Sequence, residues 1–205
     1  MKKSEQNRAE GERFPLIYAD PPWSPSQKGT NGAIQKYDLM TTDDIVGMGP
    51  AVQALAADDS SLLLWVTSNA LPDGLAVMKA WGFRYVTNVV WDKYYMGIGN
   101  YFRGSHELLL FGVRGKAPKF KFRGQRSMLH FPRMGHLVKP AEMYPVIERV
   151  LDGKYLELFS RARPNSKLDW AIWGNEVDSD VSLLEWGYPV PSDFARQGTD
   201  GERNR

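Results

Sequence analysis

At 205 residues, 42% of them hydrophobic, the chain is long enough for one well-buried core and short for two domains, so a single domain is expected. The absence of cysteine excludes disulfides, cysteine-ligated zinc and thiol chemistry, and the three histidines, His106, His130 and His136, are too scattered to suggest a metal site. A net charge of +2 does not mark a nucleic-acid binder in bulk, so any basic footprint has to be local, and no apolar run approaches membrane-spanning length.

Residues 1–13 (MKKSEQNRAEGER) are polar and lack the apolar core of a signal peptide; a mobile leader on a cytoplasmic protein is the expectation. The first strand then runs from Pro15 to Ala19 and ends abruptly in Asp20-Pro21-Pro22-Trp23. The prolines bias the chain around Asp20 toward extended geometry and have no N–H, which suggests backbone carbonyls left free beside a carboxylate. Such an acceptor-rich cradle suits an NH2 group, and Trp23 offers a flat face for a base. A plain proline turn with a partly buried Trp is the structural alternative. Residues 24–36 read as a loop, a substrate clamp or ordinary surface, leading to Tyr37.

Thr41-Thr42-Asp43-Asp44 is a helix start, with a break at Gly49-Pro50 and an end near Ala57. Ser61 to Val66 is an apolar run suited to a strand buried on both faces, followed by a helix to Trp81 and a strand from Phe83 to Trp91. Strands alternating with helices imply a parallel α/β sheet, whose carboxyl edge would carry Asp20, Thr67 and Lys93. Residues 94–105 hold three glycines and four aromatics and suggest a substrate loop; Glu107 to Val113 is another buried strand. Residues 114–126 concentrate cations, among them Lys119, Lys121 and Arg123, around Phe120 and Phe122. Cations alternating with rings suit a single strand of nucleic acid, although a solvated edge hairpin has the same composition. Lys139-Pro140 opens an amphipathic helix closed by Asp152-Gly153, and Tyr155 to Phe159 is a strand with a charge, Glu157, inside it.

The ordered set of Asp20-Pro21-Pro22-Trp23, Tyr37, Leu64-Trp65-Val66, Trp91-Asp92-Lys93, His106-Glu107, Lys139-Pro140, Glu157-Leu158-Phe159-Ser160-Arg161 and Trp173-Gly174-Asn175-Glu176 resembles the MT-A70 family of adenine-N6 methyltransferases from about Pro15 to Val177. The resemblance implies a methyltransferase domain over 14–177; by composition the extension over 178–205 holds a short amphipathic stretch, Val181 to Trp186, and then a polar tail expected to be disordered. The resemblance also implies a Rossmann-like α/β sandwich, mostly parallel, with helices on both faces and the permuted motif order of β-class amino-methyltransferases. S-adenosylmethionine is the implied cofactor. Lys139 is implied to meet its methionine carboxylate, Glu157 its ribose hydroxyls, and Asp20, Arg161, Asn165, Asn175 and Glu176 to complete the cofactor side. Asp20, Pro21, Pro22 and Trp23 are implied to carry the catalytic role, with Trp23 and Tyr37 toward the base; Lys93 by its strand end, and Lys119, Lys121 and Arg123 by their local cation run, are expected on the substrate side. Two departures from the family pattern are Leu137 after His136 and an extra residue between Arg161 and Asn175, which bears on Asn165.

The function expected is direct transfer of a methyl group to the 6-amino group of adenine, without a metal, by a monomer or homodimer. DNA is favoured over RNA for lack of a separate RNA-binding module. RNA adenine methylation and a catalytically dead nucleic-acid-binding scaffold are the rivals; cytosine N4 methylation is disfavoured by Trp23.

Overall fold

The computed structural model describes residues 11–24, 39–97, 101–132 and 138–200. Within them, β1 (Phe14–Ala19), β2 (Ala56–Thr67), β3 (Arg84–Asp92), β4 (His106–Arg114), β5 (Met128–His130), β6 (Tyr155–Leu158) and β7 (Trp170–Trp173) form one seven-stranded sheet in the order β5-β3-β4-β2-β1-β6-β7. Only β4 runs against its neighbours; the other pairs are parallel, as a mostly parallel Rossmann-like sandwich requires.

The chain leaves β1 for β2 on one side and reaches β6 on the other, so strand order reverses at β1. The first crossover uses α1 (Thr42–Gly47) and α2 (Gly49–Leu55), and the return uses α4 (Met143–Val150). With α3 (Leu71–Ala80) between β2 and β3, the helices α1 to α3 bury Ile45, Val52, Val77 and Met78 against Ile17, Leu62 and Leu64 on one face. On the other face α4 lays Met143, Ile147 and Val150 over Leu16, Leu63 and Trp65. In open sheets such a reversal separates the two crossovers and leaves a crevice at the carboxyl ends of the strands.

Local sequence accounts for the element boundaries. Thr41 and Asp44 form a reciprocal capping box at the start of α1. Gly82, with φ 84°, ends the turn after α3 in a conformation that an L side chain resists. The helix expected from Lys139-Pro140 begins later, at Met143. Pro145 has no N–H to reach back with, so the segment before it closes through shorter turns, Met143 N to Pro140 O and Tyr144 N to Ala141 O. Beyond residue 177, where a largely polar tail was expected, Pro191–Asp200 form a helix, α5, with Ser192 and Asp193 buried near its start. Asp193 accepts the Val190 N–H, and Ser192 Oγ accepts the Ser179 N–H, which ties α5 to the end of the sheet. No described helix is long and apolar enough to cross a membrane.

After β7 the backbone at Gly174 passes so close to β6 that a Cβ there would lie 2.1 Å from Ser160 O and 2.9 Å from Ser160 N. Neither atom can yield without breaking the pairing around Ser160. Gly174→Ala is expected to cost about 1–3 kcal/mol, read as a lower urea midpoint with an unchanged slope. Gly112→Ala is expected to cost less, because the added Cβ would meet the flexible Met78 side chain.

Candidate active site

Asp20 leaves β1 at the strand-order reversal, its N–H directed at Leu158 O of β6 at 3.5 Å. The next residues are clamped on both sides. Trp23 N–H donates to Pro21 O and Met40 N–H to Pro22 O, both at 2.9 Å, while the Trp23 indole Nε1 donates to Trp65 O of β2 at 2.9 Å. The missing proline N–H groups led to the expectation that these carbonyls stay free; instead both accept a backbone N–H, and each keeps one lone pair for a further donor. Trp23 is half-buried against the core and offers a fixed surface.

Lys139 reaches this corner from the start of the α4 crossover. Its Nζ lies 2.7 and 2.9 Å from the two oxygens of Asp20, and 3.4 Å from Glu107 Oε2. Glu107, the first pairing partner of Thr67 on β4, also accepts from Lys93 Nζ at 3.0 Å. Two carboxylates and two ammonium groups thus alternate along the carboxyl edge, above the Trp65 ring, whose centroid is 5.5 Å from Lys139 Nζ. Trp65 is in turn fixed by donating Nε1 to Tyr18 Oη at 2.7 Å.

Burial pushes the Asp20 carboxyl above its ordinary value, although Lys139 pulls the other way. Burial also disfavours the Lys139 ammonium, but Asp20 and Glu107 outweigh it and hold its pKa above the ordinary lysine range. For Glu107 burial is likewise opposed by Lys139 and Lys93, which together bring the carboxyl below its usual value. Asp20 is the odd member: a basic carboxylate held in place by a cation.

Glu157 lies one strand away, on β6 opposite Tyr18, and is 8% exposed. Its neighbours are aromatic: Tyr144 of α4 donates to its two oxygens at 3.1 and 3.0 Å, and Tyr144 lies edge-on to Tyr18 and Trp170. Burial without a cation pushes the Glu157 carboxyl up to about 7, with the hydroxyls of Tyr144 and Ser160 offsetting part of it. Just beyond, Phe159 adopts a φ of 64°, an uncommon backbone for an aromatic residue, and packs edge-on to Trp173, whose indole nitrogen is buried without a partner. A carboxylate with acceptor capacity left over and an unsatisfied N–H close to the same strand ends are the kind of groups that a polar ligand satisfies.

With this geometry in view, comparison with known proteins is decisive about ancestry: the MT-A70 family model matches residues 14–176. The chain belongs to the MT-A70 family. It is similar to the type II methyltransferase M.MunI of Mycoplasma sp, 27% identical over 204 residues, covering 85% of this chain and 83% of that protein. It is also similar to the N(6)-adenosine-methyltransferase catalytic subunit METTL3 of Homo sapiens, 28% identical over 183 residues, and to the N(6)-adenosine-methyltransferase MT-A70-like protein of Drosophila melanogaster, 28% identical over 176 residues. Those matches cover 84% and 81% of this chain but only 30% and 27% of the relatives, so the chain spans less than a third of these two eukaryotic proteins.

The MT-A70 positions singled out in the sequence fall into three groups. Asp20, Pro21, Pro22, Trp23, Lys93 and Lys139 converge on one corner, with Lys139 engaged by Asp20 rather than standing open to a ligand carboxylate. Glu157 is one strand away; Arg161 pairs with Glu176 at 3.7 Å, and Asn165 and Asn175 are exposed. Lys119, Lys121 and Arg123 lie elsewhere. Because β4 is antiparallel, the loop after it starts at the amino edge of the sheet; Lys121 pairs there with Asp152 at 2.7 Å, and its N–H bonds Val150 O. The cationic run is thus not brought to Asp20, since strand direction and not sequence distance decides which edge a loop joins. A cavity of about 300 Å³ at that amino edge, lined in part by Ser60, Ser61, Lys116 and Asp152, is separate from the corner described. Tyr37 lies outside the described residues.

Two members of the corner gain their place only from the structure. Tyr144 reads in the sequence as one more apolar residue of an amphipathic helix, and Trp65 as part of a buried strand and a family landmark with no role attached. The signal available was Glu157 itself: a charge in a buried strand needs a donor, and a tyrosine on the covering helix is the natural one.

Because the Glu157 carboxyl rises from 4.5 to about 7 on folding, its protonated form favours the fold; that contribution is complete below pH 4.5 and is lost as pH rises through about 7. The loss amounts to at most about 3 kcal/mol. Glu157→Gln is expected to flatten the decline of the melting temperature between about pH 5 and pH 8, measured by circular dichroism, leaving the variant more stable than the parent at the upper end. An unchanged slope would mean that Glu157 titrates normally.

Proposed function

We propose that the protein is an S-adenosylmethionine-dependent methyltransferase that modifies the 6-amino group of adenine in DNA. The observation that carries this reading is the clamped Asp20-Pro21-Pro22-Trp23 corner with Lys139 on the Asp20 carboxylate, in a chain of the MT-A70 family. The groups present fit the cofactor chemically: Glu157 has acceptor capacity for hydroxyls, Trp173 has an unused donor, and Lys139 can exchange its 3.4 Å contact with Glu107 for a ligand carboxylate. Arg161, Asn165, Asn175 and Glu176 would line the same side, with Tyr37 and Lys93 toward the base. When bound, S-adenosylmethionine supplies an electrophilic methyl group.

The amino nitrogen of adenine is a poor nucleophile, because its lone pair is conjugated with the ring. Asp20 accepts a hydrogen bond from one of its protons, and the remaining lone pair of Pro21 O or Pro22 O accepts the other, so density gathers on nitrogen. Once methylated, the nitrogen must release a proton, and Asp20 is placed to take it. Burial makes this carboxylate more basic than a free one, while Lys139 keeps it ionised and fixed. Trp23, pinned by its indole N–H, supplies a rigid wall for a base brought out of its stack.

DNA is the proposed substrate because the relative matched over 83% of its own length is a type II methyltransferase. Adenosine in RNA is the second reading, favoured by the names of the METTL3-type relatives. Labelled methyl transfer to matched DNA and RNA pools, with nucleosides identified by mass spectrometry, separates them. N6-methyldeoxyadenosine is the expected product, and Asp20→Asn is expected to lower kcat at least about 100-fold. Product confined to RNA would move the substrate, a methylcytosine would refute the adenine assignment, and absence of transfer from a chain that binds nucleic acid would favour a scaffold.

A further inference from the structure

The strands β3 and β4 continue past the sheet as a short two-stranded projection, with Lys93 N–H donating to Ser105 O at 2.9 Å and Gly97 N–H to Gly104 O at 2.7 Å. This projection is unusually apolar for exposed chain. Tyr95 is 67% exposed, Met96 78% and Phe102 88%, and Tyr94 and Tyr101 are also exposed. Isolated apolar residues on a surface need no explanation, but a cluster of this kind marks an interaction site.

The backbone is arranged to present these rings. Tyr94 and Tyr101 have φ values of 61° and 58°, a left-handed conformation uncommon for aromatic residues. Tyr94 is held there by its N–H, which donates to Asp92 Oδ1 at 3.0 Å, and its ring lies 5.7 Å from that of His130, tilted by 35°. His130 is fixed in turn by Asp92 Oδ2, 3.1 Å from its Nδ1. The result is a prearranged pair of rings at the base of the projection and further rings beyond it.

Position and charge indicate the occupant. The projection starts at Lys93, which binds Glu107, which touches Lys139, which holds Asp20. Residues 93–105 carry Lys93 and Arg103 and no acid. Exposed rings next to the Asp20 corner, on a segment with no acid of its own, its flanking Asp92 and Glu107 being engaged by Tyr94, His130 and Lys93, match single-stranded nucleic acid better than a protein surface.

We propose that Tyr94, Tyr95, Tyr101 and Phe102 form the stacking platform for the nucleotides that flank the target base, on an unpaired strand. This rests on the proposed function, and takes the place at the site that the distant cations Lys119, Lys121 and Arg123 do not fill.

The test uses the full chain with Tyr95→Ser and Phe102→Ser combined, and Tyr95→Phe with Phe102→Tyr as the conservative pair. Binding is read by fluorescence anisotropy with an adenine-containing single strand of about 12 nucleotides, as DNA and as RNA, and with the nucleotides beside the adenine made abasic. The serine pair is expected to raise Kd and the oligonucleotide KM at least about tenfold, and the conservative pair to stay within about twofold. The kcat at saturation and the affinity for S-adenosylmethionine are expected to be unchanged. Abasic flanks are expected to weaken the parent chain and to weaken the serine pair little further, since the same stacking is already lost. Unchanged oligonucleotide affinity in the serine pair overturns the proposal, as does a parent chain that binds no oligonucleotide. A parent dimer dissociated by the serine pair with affinity intact also overturns it, assigning the rings to a second copy. The two readings fail separately: binding lost in the serine pair without methyl transfer by the parent refutes the methyltransferase assignment alone, and transfer with unaffected binding refutes the platform alone.

Discussion

The ion pair between Asp20 and Lys139 joins segments 119 residues apart and sets the geometry of everything around it. Taking both charges out of water is expensive, and the attraction between them seldom recovers more than the cost, so such a pair is weak as a device for stability. It is strong as a device for position. Lys139 uses its three protons on two carboxylates, Glu107 is shared with Lys93, and the Trp65 ring supports the ammonium from below. Losing any one member leaves a charge uncompensated in a poorly hydrated corner, which is why the set behaves as a unit.

The topology makes this corner possible. The strand-order reversal at β1 sends α1 to α3 to one face and α4 to the other, so among the described residues no helix covers the carboxyl ends of β1 and β6. The tight places in the chain cluster there too. Phe159 bends out of β6 with φ 64°, and Gly174 lets the end of β7 pass Ser160 without room for a side chain. Such backbone costs on the order of 1–3 kcal/mol where an ordinary residue adopts it, and surrounding packing has to hold it. Here the holding groups are aromatic: Trp173 against Phe159, and Tyr144, Tyr155 and Trp170 packed on one another beneath Glu157.

Much of this was readable in advance where the physics is local. The apolar runs of β2 and β4, the capping box of α1 and the glycine after α3 each follow from residues within a few positions. The abrupt stop at Asp20-Pro21-Pro22 was readable for the same reason. The proline carbonyls were misjudged because their donors, Trp23 N–H and Met40 N–H, depend on how the segment after the motif folds back. The start of α4 was placed too early because Pro140 looks like a helix opener until Pro145 is counted against the same turn. The run of cations around Lys121 was drawn to the active site by its composition, whereas its place depends on the antiparallel course of β4.

By itself the sequence determined the class of the fold, five of its seven strands and the chemistry available, because periodicity, caps and the aspartate–proline motif act over a few residues; the short β5 and β7 carry too little local pattern to be read. Only the tertiary structure decided that Asp20 is held by Lys139, that Glu157 accepts from Tyr144, and that the exposed rings of Tyr94, Tyr95, Tyr101 and Phe102 share an edge with Asp20 while Lys121 does not. Those outcomes turn on strand direction and on which segments meet across the switch point, and no local pattern in the chain carries that information.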